Sequence, residues 1–265
     1  MSRWRRAFRD LSPLALTAGL LAAVYLLPPD TSLAEVRRLG ALDVCVPLSY
    51  PPLVTGDAGR PGFEVELLQQ AAQRMGLRLT LNTVPAMGES FNPRSWRITR
   101  ARCHVVAGGV TDTPATRSFL DLTLPHAQTG WGMMSPREDV GLEGRSVGVL
   151  IDSSGADRLA VSSVLRNAKA RPQLFRSPDA LVKALSAGSI DVAIGDRLLL
   201  DQIASGHGWS LRPVPGLPAQ QGLAFGLWKG DLTLKRALNA ALADLDRDGT
   251  TDMLRQKYLG AFTGA

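Results

Sequence analysis

The chain lacks most of the features that would assign it at once to a functional class. Of its 265 residues, 6% are aromatic and only two are cysteines. No basic block carries interleaved aromatic residues, and this argues against a nucleic-acid partner. No set of cysteines and histidines has metal-site spacing. We therefore expect no metal, no cofactor and no nucleic acid.

Long hydrophobic runs are absent except at the N-terminus. Four arginines between residues 3 and 9 precede the apolar run Leu14–Leu27, and Ser32 and Ala34 are small residues at the two positions that a signal peptidase reads. This pattern predicts a secretory signal over residues 1–34, cleaved after Ala34. An uncleaved anchor stays open, although the run is short for a membrane span. The pattern does not decide between Sec and twin-arginine export. No cysteine stands directly after the run, and this argues against a lipoprotein anchor.

The two cysteines, Cys45 and Cys103, belong to a chain with a predicted export signal. An oxidising compartment favours a disulfide between them. Such a bridge would reduce the entropy of the unfolded chain by an amount worth roughly 4 kcal/mol. Two buried free thiols are the alternative.

Short apolar runs alternate with segments of helical spacing, which predicts an α/β fold with parallel sheets. The first series is strand, helix, strand, helix, strand: Ala41–Val46, Phe63–Met75, Leu77–Val84, a helix from Asn92, and Val105–Ala107. A second series runs from Gly144 to Gly195. A strand at Leu223–Trp228 and two helices, the last ending at Leu259, close the chain.

The stretch from Cys103 to Arg117 is the most informative. A buried strand stops at Gly108-Gly109, and a helix follows with Thr111 or Thr113 as its cap and Pro114 in its first turn. A strand that ends in glycines and opens a helix presents unpaired N–H groups to an anion. An ordinary βα turn would show the same pattern.

Five motifs occur in an order that resembles the family 3 periplasmic solute-binding proteins, whose members typically bind polar amino acids for ABC importers. They are Gly62–Leu67 (GFEVEL), Gly109–Pro114 (GVTDTP), Leu142–Val149 (LEGRSVGV), Asp191–Asp196 (DVAIGD), and Asp248–Thr250 with Tyr258–Gly260. The resemblance covers Leu33 to Gly260.

The resemblance implies an α/β, two-lobed periplasmic-binding-protein fold. Each lobe would be a mostly parallel sheet flanked by helices, with lobe 1 at 35–132 plus 226–265 and lobe 2 at 133–225. Gly130–Met134 and Leu223–Trp228 would be two crossing hinge strands, and closure would bury a ligand between the lobes. The protein would be a periplasmic monomer without catalytic residues, and its partner would be a membrane permease.

The resemblance also implies a ligand site. Gly109 would supply an N–H group and Thr111 a hydroxyl, while Asp196 would pair with a ligand ammonium. Donors from lobe 2 and aromatic walls complete the set: Ser153, Ser154, Tyr50 and Phe91.

One departure affects the expected ligand. The family's carboxylate-binding arginine is replaced by Thr116, and Arg117 stands one residue later, about 100° further around a helix. We keep both as candidate ligand contacts. Arg94 and Arg97 are candidates for a replacement anion partner, or are simply solvated.

Two other functions stay open. The surroundings of Cys45 and Cys103 resemble a subfamily of periplasmic accessory proteins associated with quinoprotein dehydrogenases, whose partner is that dehydrogenase. Some relatives of the fold are dehydratases, but His104, His126 and His207 lack the context of a nucleophile elbow, so we expect no enzyme.

Overall fold

The computed structural model describes residues 17–19, 29–88, 96–150 and 158–260. The chain divides into two compact units, Met1–Thr31 and Ser32–Ala265. The second unit carries two five-stranded sheets and a two-stranded ladder. No helix in the described part of the chain is both long and apolar enough to cross a membrane.

Sheet 1 has the strand order β2-β1-β3-β12-β4. Strand β1 is parallel to both β2 and β3, whereas β12, which returns from the end of the chain, is antiparallel to β3 and β4. The elements of this part are α1 Ser32–Leu39, β1 Ala41–Val46, α2 Phe63–Arg74, β2 Arg78–Thr83, β3 Val105–Val106, α3 Pro114–Phe119, β4 Leu120–Leu122 and β12 Gly226–Trp228, and they are followed by α7 Leu232–Arg247 and α8 Thr250–Leu259.

Sheet 2 has the order β10-β6-β9-β7-β8. Strand β7 is parallel to β8 and β9, and β6 is antiparallel to β9 and β10. Its elements are β6 Trp131–Ser135, β7 Ser146–Leu150, α4 Arg158–Asn167, β8 Arg171–Phe175, α5 Pro178–Ser186, β9 Val192–Asp196, α6 Arg197–His207 and β10 Ser210–Pro213.

Two short strands connect the sheets. Strand β5, Ala127–Thr129, pairs antiparallel with β11, Gln221–Leu223, in a ladder of its own. On the first connection the crossing therefore lies before Gly130, not within Gly130–Met134, because the residues from Trp131 onwards join sheet 2. On the second connection, the predicted strand Leu223–Trp228 is divided between two strands. Its first residue belongs to β11, which pairs with β5, and its last three residues form β12, which pairs with β3 and β4.

The alternating α/β pattern is confirmed, with one correction. The helix expected from Asn92 lies partly outside the described residues, and the described segment 96–102 contains no α-helix. Helix α6 and strand β10 were not predicted. Helix α6 starts directly after Asp196, so the end of the strand and the cap of the helix are one residue.

Helix α2 shows how the core is built. Its buried residues include Leu67, Leu68, Ala71 and Ala72, which recur at helical spacing, and this stripe packs against α7 and α8. Glu64 lies on the same buried face and is fully buried. A carboxylate on an apolar stripe needs internal partners, which are described below.

The predicted disulfide is present. Cys45 in β1 is bonded to Cys103, which lies just before the neighbouring strand β3, and their Cα atoms are 5.5 Å apart. Both cysteines are buried in a cluster with Met87 and Trp96. The Trp228 indole N–H donates to the Cys103 carbonyl oxygen (2.7 Å).

We expect the exported protein to contain this bond and to need it. Replacing both cysteines by serine should lower the free energy of unfolding by about 2–5 kcal/mol. The unfolded chain regains the conformational entropy of a loop that spans 58 residues, and two serine hydroxyls are buried in an apolar cluster. Urea unfolding with and without reductant measures the difference. Two free thiols in the mass spectrum of the unreduced protein would contradict the prediction.

The first helix is held by an exchange of side-chain hydrogen bonds with α7. The Ser32 Oγ accepts from the Leu234 N–H (3.3 Å), the Thr233 Oγ1 accepts from the Leu33 N–H (3.3 Å), and the two hydroxyls are 3.1 Å apart. Each side chain thus satisfies an N-terminal amide of the other helix. Cleavage after Ala34 would remove Ser32, Leu33 and these bonds.

We therefore predict that the mature N-terminus lies at or before Ser32. A chain that begins at Glu35 should be less stable than one that begins at Ser32 by about 1–2 kcal/mol, the usual cost of losing helix caps. N-terminal sequencing of the exported protein and urea unfolding of the two chains test this. An exported protein that starts at Glu35 would overturn it.

Candidate ligand-binding site

Six of the nine predicted ligand-binding residues fall within the described part of the chain: Tyr50, Gly109, Thr111, Thr116, Arg117 and Asp196. Phe91, Ser153 and Ser154 lie outside it, as does Arg94. Tyr50, Gly109 and Thr111 lie in loops beside sheet 1, Thr116 and Arg117 lie in α3, and Asp196 ends β9 of sheet 2.

Asp196 ends β9 and is the N-cap of α6. Its Oδ1 accepts from the Leu198 N–H (3.0 Å) and the Leu199 N–H (3.2 Å), and its Oδ2 accepts from the Thr129 hydroxyl (2.5 Å) in the crossing strand β5. The residue is 3% exposed. Burial raises the pKa of this carboxyl above its ordinary value, and hydrogen bonds from Thr129, the helix amides and Tyr50 lower it part of the way.

Tyr50 joins the two sides of the site. It is buried and shares the sheet 1 core with Leu198 of α6. Its ring lies against Gly109 so closely that a Cβ atom on that glycine would be 2.5 Å from ring atom Cε1. Tyr50 therefore stands between the glycine turn of sheet 1 and Asp196 of sheet 2.

The turn Gly108-Gly109 binds a carboxylate, but one that belongs to the protein. Both glycines have positive φ (101° and 82°), and their amides donate to Glu64 Oε2 at 2.5 and 3.2 Å. The predicted chemistry of the turn is therefore present. The Gly109 N–H expected to reach a ligand is occupied by Glu64.

The other Glu64 oxygen bonds His126. Its Oε1 is 2.9 Å from the imidazole Nε2, and the ring stacks on Phe225 with centroids 4.1 Å apart. The backbone of His126 is also engaged: its N–H donates to Leu223, and Arg255 donates to its carbonyl oxygen. His126 immediately precedes β5, so Glu64 links the turn to a crossing strand.

Glu64, His126 and Thr129 contact the predicted site residues but are not among them. Glu64 had a usable signal, because it shares a helical stripe with Leu67, Leu68 and Ala71, where a carboxylate is out of place. His126 and Thr129 had none, because their partners are distant in the chain.

The threonines after the turn have local roles. Thr113, not Thr111, caps α3: its Oγ1 accepts from the Thr116 N–H at 3.1 Å. The buried Thr116 hydroxyl lies 3.0 Å from that of Thr113. Thr111 is buried and bridges Leu223 of β11. The turn thus contacts the crossing strand β11.

Arg117 does not stand free. Its guanidinium binds Asp112 through two hydrogen bonds, one of them 2.6 Å long, and its side chain is 56% exposed. The bond to Asp112 raises the pKa of Arg117. Arg97 is exposed, with a positive φ of 53°. Neither is buried as a carboxylate clamp would be.

The other two histidines make local contacts. His104 accepts from the Asp43 N–H (3.2 Å), and His207 stacks on Trp209. Within the described ranges no group of three acidic, histidine or cysteine side chains could hold a metal ion. An apolar cavity of about 300 Å³ between α4 and strands β7 and β8 contains none of the predicted site residues.

Comparison with known proteins identifies the family. The sequence model of the bacterial extracellular solute-binding proteins, family 3, matches residues 42–261. This match covers most of the chain, and the protein belongs to that family.

Three similar proteins illustrate its range. The L-cystine-binding protein TcyJ of Escherichia coli strain K12 is 28% identical over 269 residues, which cover 97% of this chain and 96% of TcyJ. The membrane-bound lytic murein transglycosylase F of Stutzerimonas stutzeri strain A1501 is 26% identical over 243 residues, 87% of this chain but 48% of the enzyme. Relatives therefore include an enzyme about twice as long as the shared region.

The third is a solved structure, the substrate-binding protein of an ABC uptake transporter from Streptococcus pneumoniae with bound histidine. It superposes with a TM-score of 0.70 at 14% identity, and the alignment covers 89% of this chain and 98% of that one. The likeness shows the fold, which is the two-lobed periplasmic-binding-protein fold.

The raised pKa of Asp196 predicts the pH dependence of the unliganded protein. When pH rises above the ordinary aspartate pKa of about 3.9, the carboxyl of Asp196 ionises in the unfolded chain. In the folded protein it keeps its proton until the pH reaches the raised pKa. The folded state then binds more protons, so the contribution of Asp196 to stability falls as pH rises from about 4 through the raised pKa. Asp196→Asn should remove this slope and keep the cap, because asparagine is a good N-cap residue.

Denaturant unfolding over a pH series measures this, with Asp179→Asn on the exposed start of α5 as the matched control. Identical slopes for the wild type and Asp196→Asn would contradict the prediction.

Proposed function

We propose that this protein captures a small polar ligand, an amino acid or a related zwitterion or carboxylate, in the periplasm and delivers it to an ABC importer permease. It acts as a binding protein without catalysis. Family membership supports the class, and the cystine binding for which the relative TcyJ is named supports an amino-acid ligand. None of the three relatives described above is a dehydrogenase accessory protein, so that alternative has no support from them.

The observation that carries the proposal is the position of Asp196. A buried carboxylate at the carboxyl end of β9 touches a crossing strand through Thr129 and lies beside Tyr50 from the other sheet. Its Oδ1 is held by two helix amides, whereas its Oδ2 is held by a hydroxyl that a ligand ammonium can replace. Asp196 can therefore cap α6 and bind a ligand at the same time.

The ligand set proposed around Asp196 keeps the predicted residues in revised roles. Tyr50 and Phe91 supply aromatic surface, and Ser153 and Ser154 supply donors from lobe 2. Gly109 and Thr111 contribute the shape of the turn, because the Gly109 N–H is already bonded. Thr116 and Arg117 remain candidates for the anionic end.

The test is a thermal-shift screen of the exported protein against amino acids, organic acids and polyamines, followed by calorimetry on the hits. A ligand that binds only the folded state raises the melting temperature by mass action. No shift with any compound would contradict the proposed function.

For an amine-bearing hit, Asp196→Asn should weaken binding by about 2 kcal/mol, roughly thirtyfold, because the ammonium loses its charged partner. Circular dichroism should show an unchanged fold, and Asp179→Asn is again the control. Unchanged affinity in Asp196→Asn would mean that Asp196 is only the cap of α6.

A further inference from the structure

Helix α1 starts at the residues where the predicted export signal would be cut. After the apolar run Leu14–Leu27, the one pair of small residues with signal-peptidase spacing is Ser32 and Ala34. In the folded protein Ser32 is 7% exposed and accepts a hydrogen bond from the Leu234 N–H. A cut after Ala34 would sever the first turn of α1. A chain with an intact α1 therefore keeps the segment before it.

That segment has the composition of a membrane span with its N-terminus inside the cell. The apolar run alone is short, but no charged residue stands between Asp10 and Asp30, a stretch of 19 residues. Roughly 17–25 residues are enough to cross a bilayer. Four arginines between residues 3 and 9 precede the stretch, and basic residues favour the cytoplasmic side. Only residues 17–19 and 29 of it lie in the described part of the chain.

Helix α1 lies at the edge of sheet 1 that is opposite the candidate site. Gly40, directly after α1, accepts a hydrogen bond from the Arg78 N–H at the point where β1 and β2 begin. Tyr50 and Gly109 follow the carboxyl ends of the parallel strands β1 and β3, at the other edge. Strand β1 has six residues, so the two edges are about 20 Å apart. A tether that enters at α1 therefore leaves the site edge away from the membrane.

The exposed side of α1 carries a net positive charge. Arg37 and Arg38 on the helix and Arg78 at the start of β2 are exposed, and none of these side chains has an ion-pair partner in the described part of the chain. Glu35 is the one acidic residue of α1. Unpaired basic side chains within about a Debye length of a membrane are attracted by its anionic lipid headgroups.

Two exposed leucines lie at the two ends of the same helix. Leu39 is its last residue and is 46% exposed, and Leu232, beside its start, is 45% exposed. The next residue, Thr233, accepts a hydrogen bond from the Leu33 N–H. Exposed apolar side chains beside basic ones are typical of surfaces that lie in a membrane interface. Residues 28–31, which separate α1 from the apolar run, span at most about 14 Å.

We propose that residues 1–31 remain on the exported protein as a membrane tether, and that the α1 face lies on the anionic surface of that membrane. The α1 face consists of five exposed residues: Arg37, Arg38, Leu39, Arg78 and Leu232. The inference goes beyond the proposed function and does not depend on which ligand binds. A tethered binding protein stays beside the membrane in which the proposed permease lies.

The first test is the mass and location of the full chain expressed in a Gram-negative host. The protein should keep its N-terminus from Met1, sediment with the membrane fraction, and be released by detergent but not by high salt. A soluble protein cut anywhere between residues 28 and 34 would overturn the tether.

A matched variant moves the cutting site out of α1. Pro29→Ala with Thr31→Ala puts small residues at signal-peptidase spacing just before Ser32, so that a cut leaves the helix and its hydrogen bonds intact. This variant should appear as a soluble protein that begins at Ser32. If it stayed uncut, the retention of the segment would not be due to α1, and this part of the inference would be wrong.

The second test places the α1 face on the membrane. Leu39→Cys adds one thiol for a fluorescent label, because Cys45 and Cys103 are bonded to each other. The control is Leu174→Cys on β8 of sheet 2, where the leucine is 69% exposed. The labelled full chains are reconstituted into vesicles of phosphatidylcholine and phosphatidylglycerol that contain spin-labelled headgroups.

The headgroups should quench the label at residue 39 several-fold more strongly than the label at residue 174. Arg37→Gln with Arg38→Gln, or vesicles of phosphatidylcholine alone, should reduce this difference, because both remove the charge attraction. Equal quenching at residues 39 and 174 in the anionic vesicles would overturn the assignment of the α1 face.

Discussion

Burying the carboxylate of Glu64 imposes a constraint that several elements satisfy together. An ionised group that is shielded from water must find hydrogen-bond donors inside the protein, because leaving a buried charge unpaired costs several kcal/mol. Here the donors are two glycine amides and one imidazole. Helix α2 must therefore begin beside the turn after β3. Strand β5 must start where the imidazole of His126, the residue before it, can reach the Glu64 carboxylate.

The glycines and aromatic residues around Glu64 follow from the same requirement. At this turn the two consecutive amides point at one Glu64 oxygen with positive φ at both residues, a region where glycine has no steric cost. The Tyr50 ring packs against Gly109 and leaves no room for a Cβ atom. The Glu64 carboxylate and the Tyr50 ring thus both fix the conformation of this turn.

Asp196 is the counterpart of Glu64 on the other sheet, with a different balance of partners. Two of its hydrogen-bond donors are the amides of Leu198 and Leu199, which lie at the positive end of the α6 helix dipole. The Thr129 side chain adds a hydroxyl donor. Hydroxyl partners can rotate away when a ligand arrives, whereas helix amides cannot. The carboxylate of Asp196 is thus satisfied without a ligand, and rotation of its hydroxyl partners is what the proposed pairing with a ligand cation requires.

Local sequence information determined the α/β alternation, the βα turn at Gly108-Gly109 and the pairing of Cys45 with Cys103. Each depends on hydrophobic periodicity, on helix-capping residues or on the predicted export signal, and all three can be read from short stretches of sequence. Only the tertiary structure decided that Glu64 occupies the turn, that Arg117 pairs with Asp112, and that the first crossing strand lies before Gly130. These outcomes depend on residues that meet across separations from 5 (Arg117 and Asp112) to 96 (Ala127 and Leu223, 223 − 127) along the chain, where burial and geometry, not local propensity, select the partner.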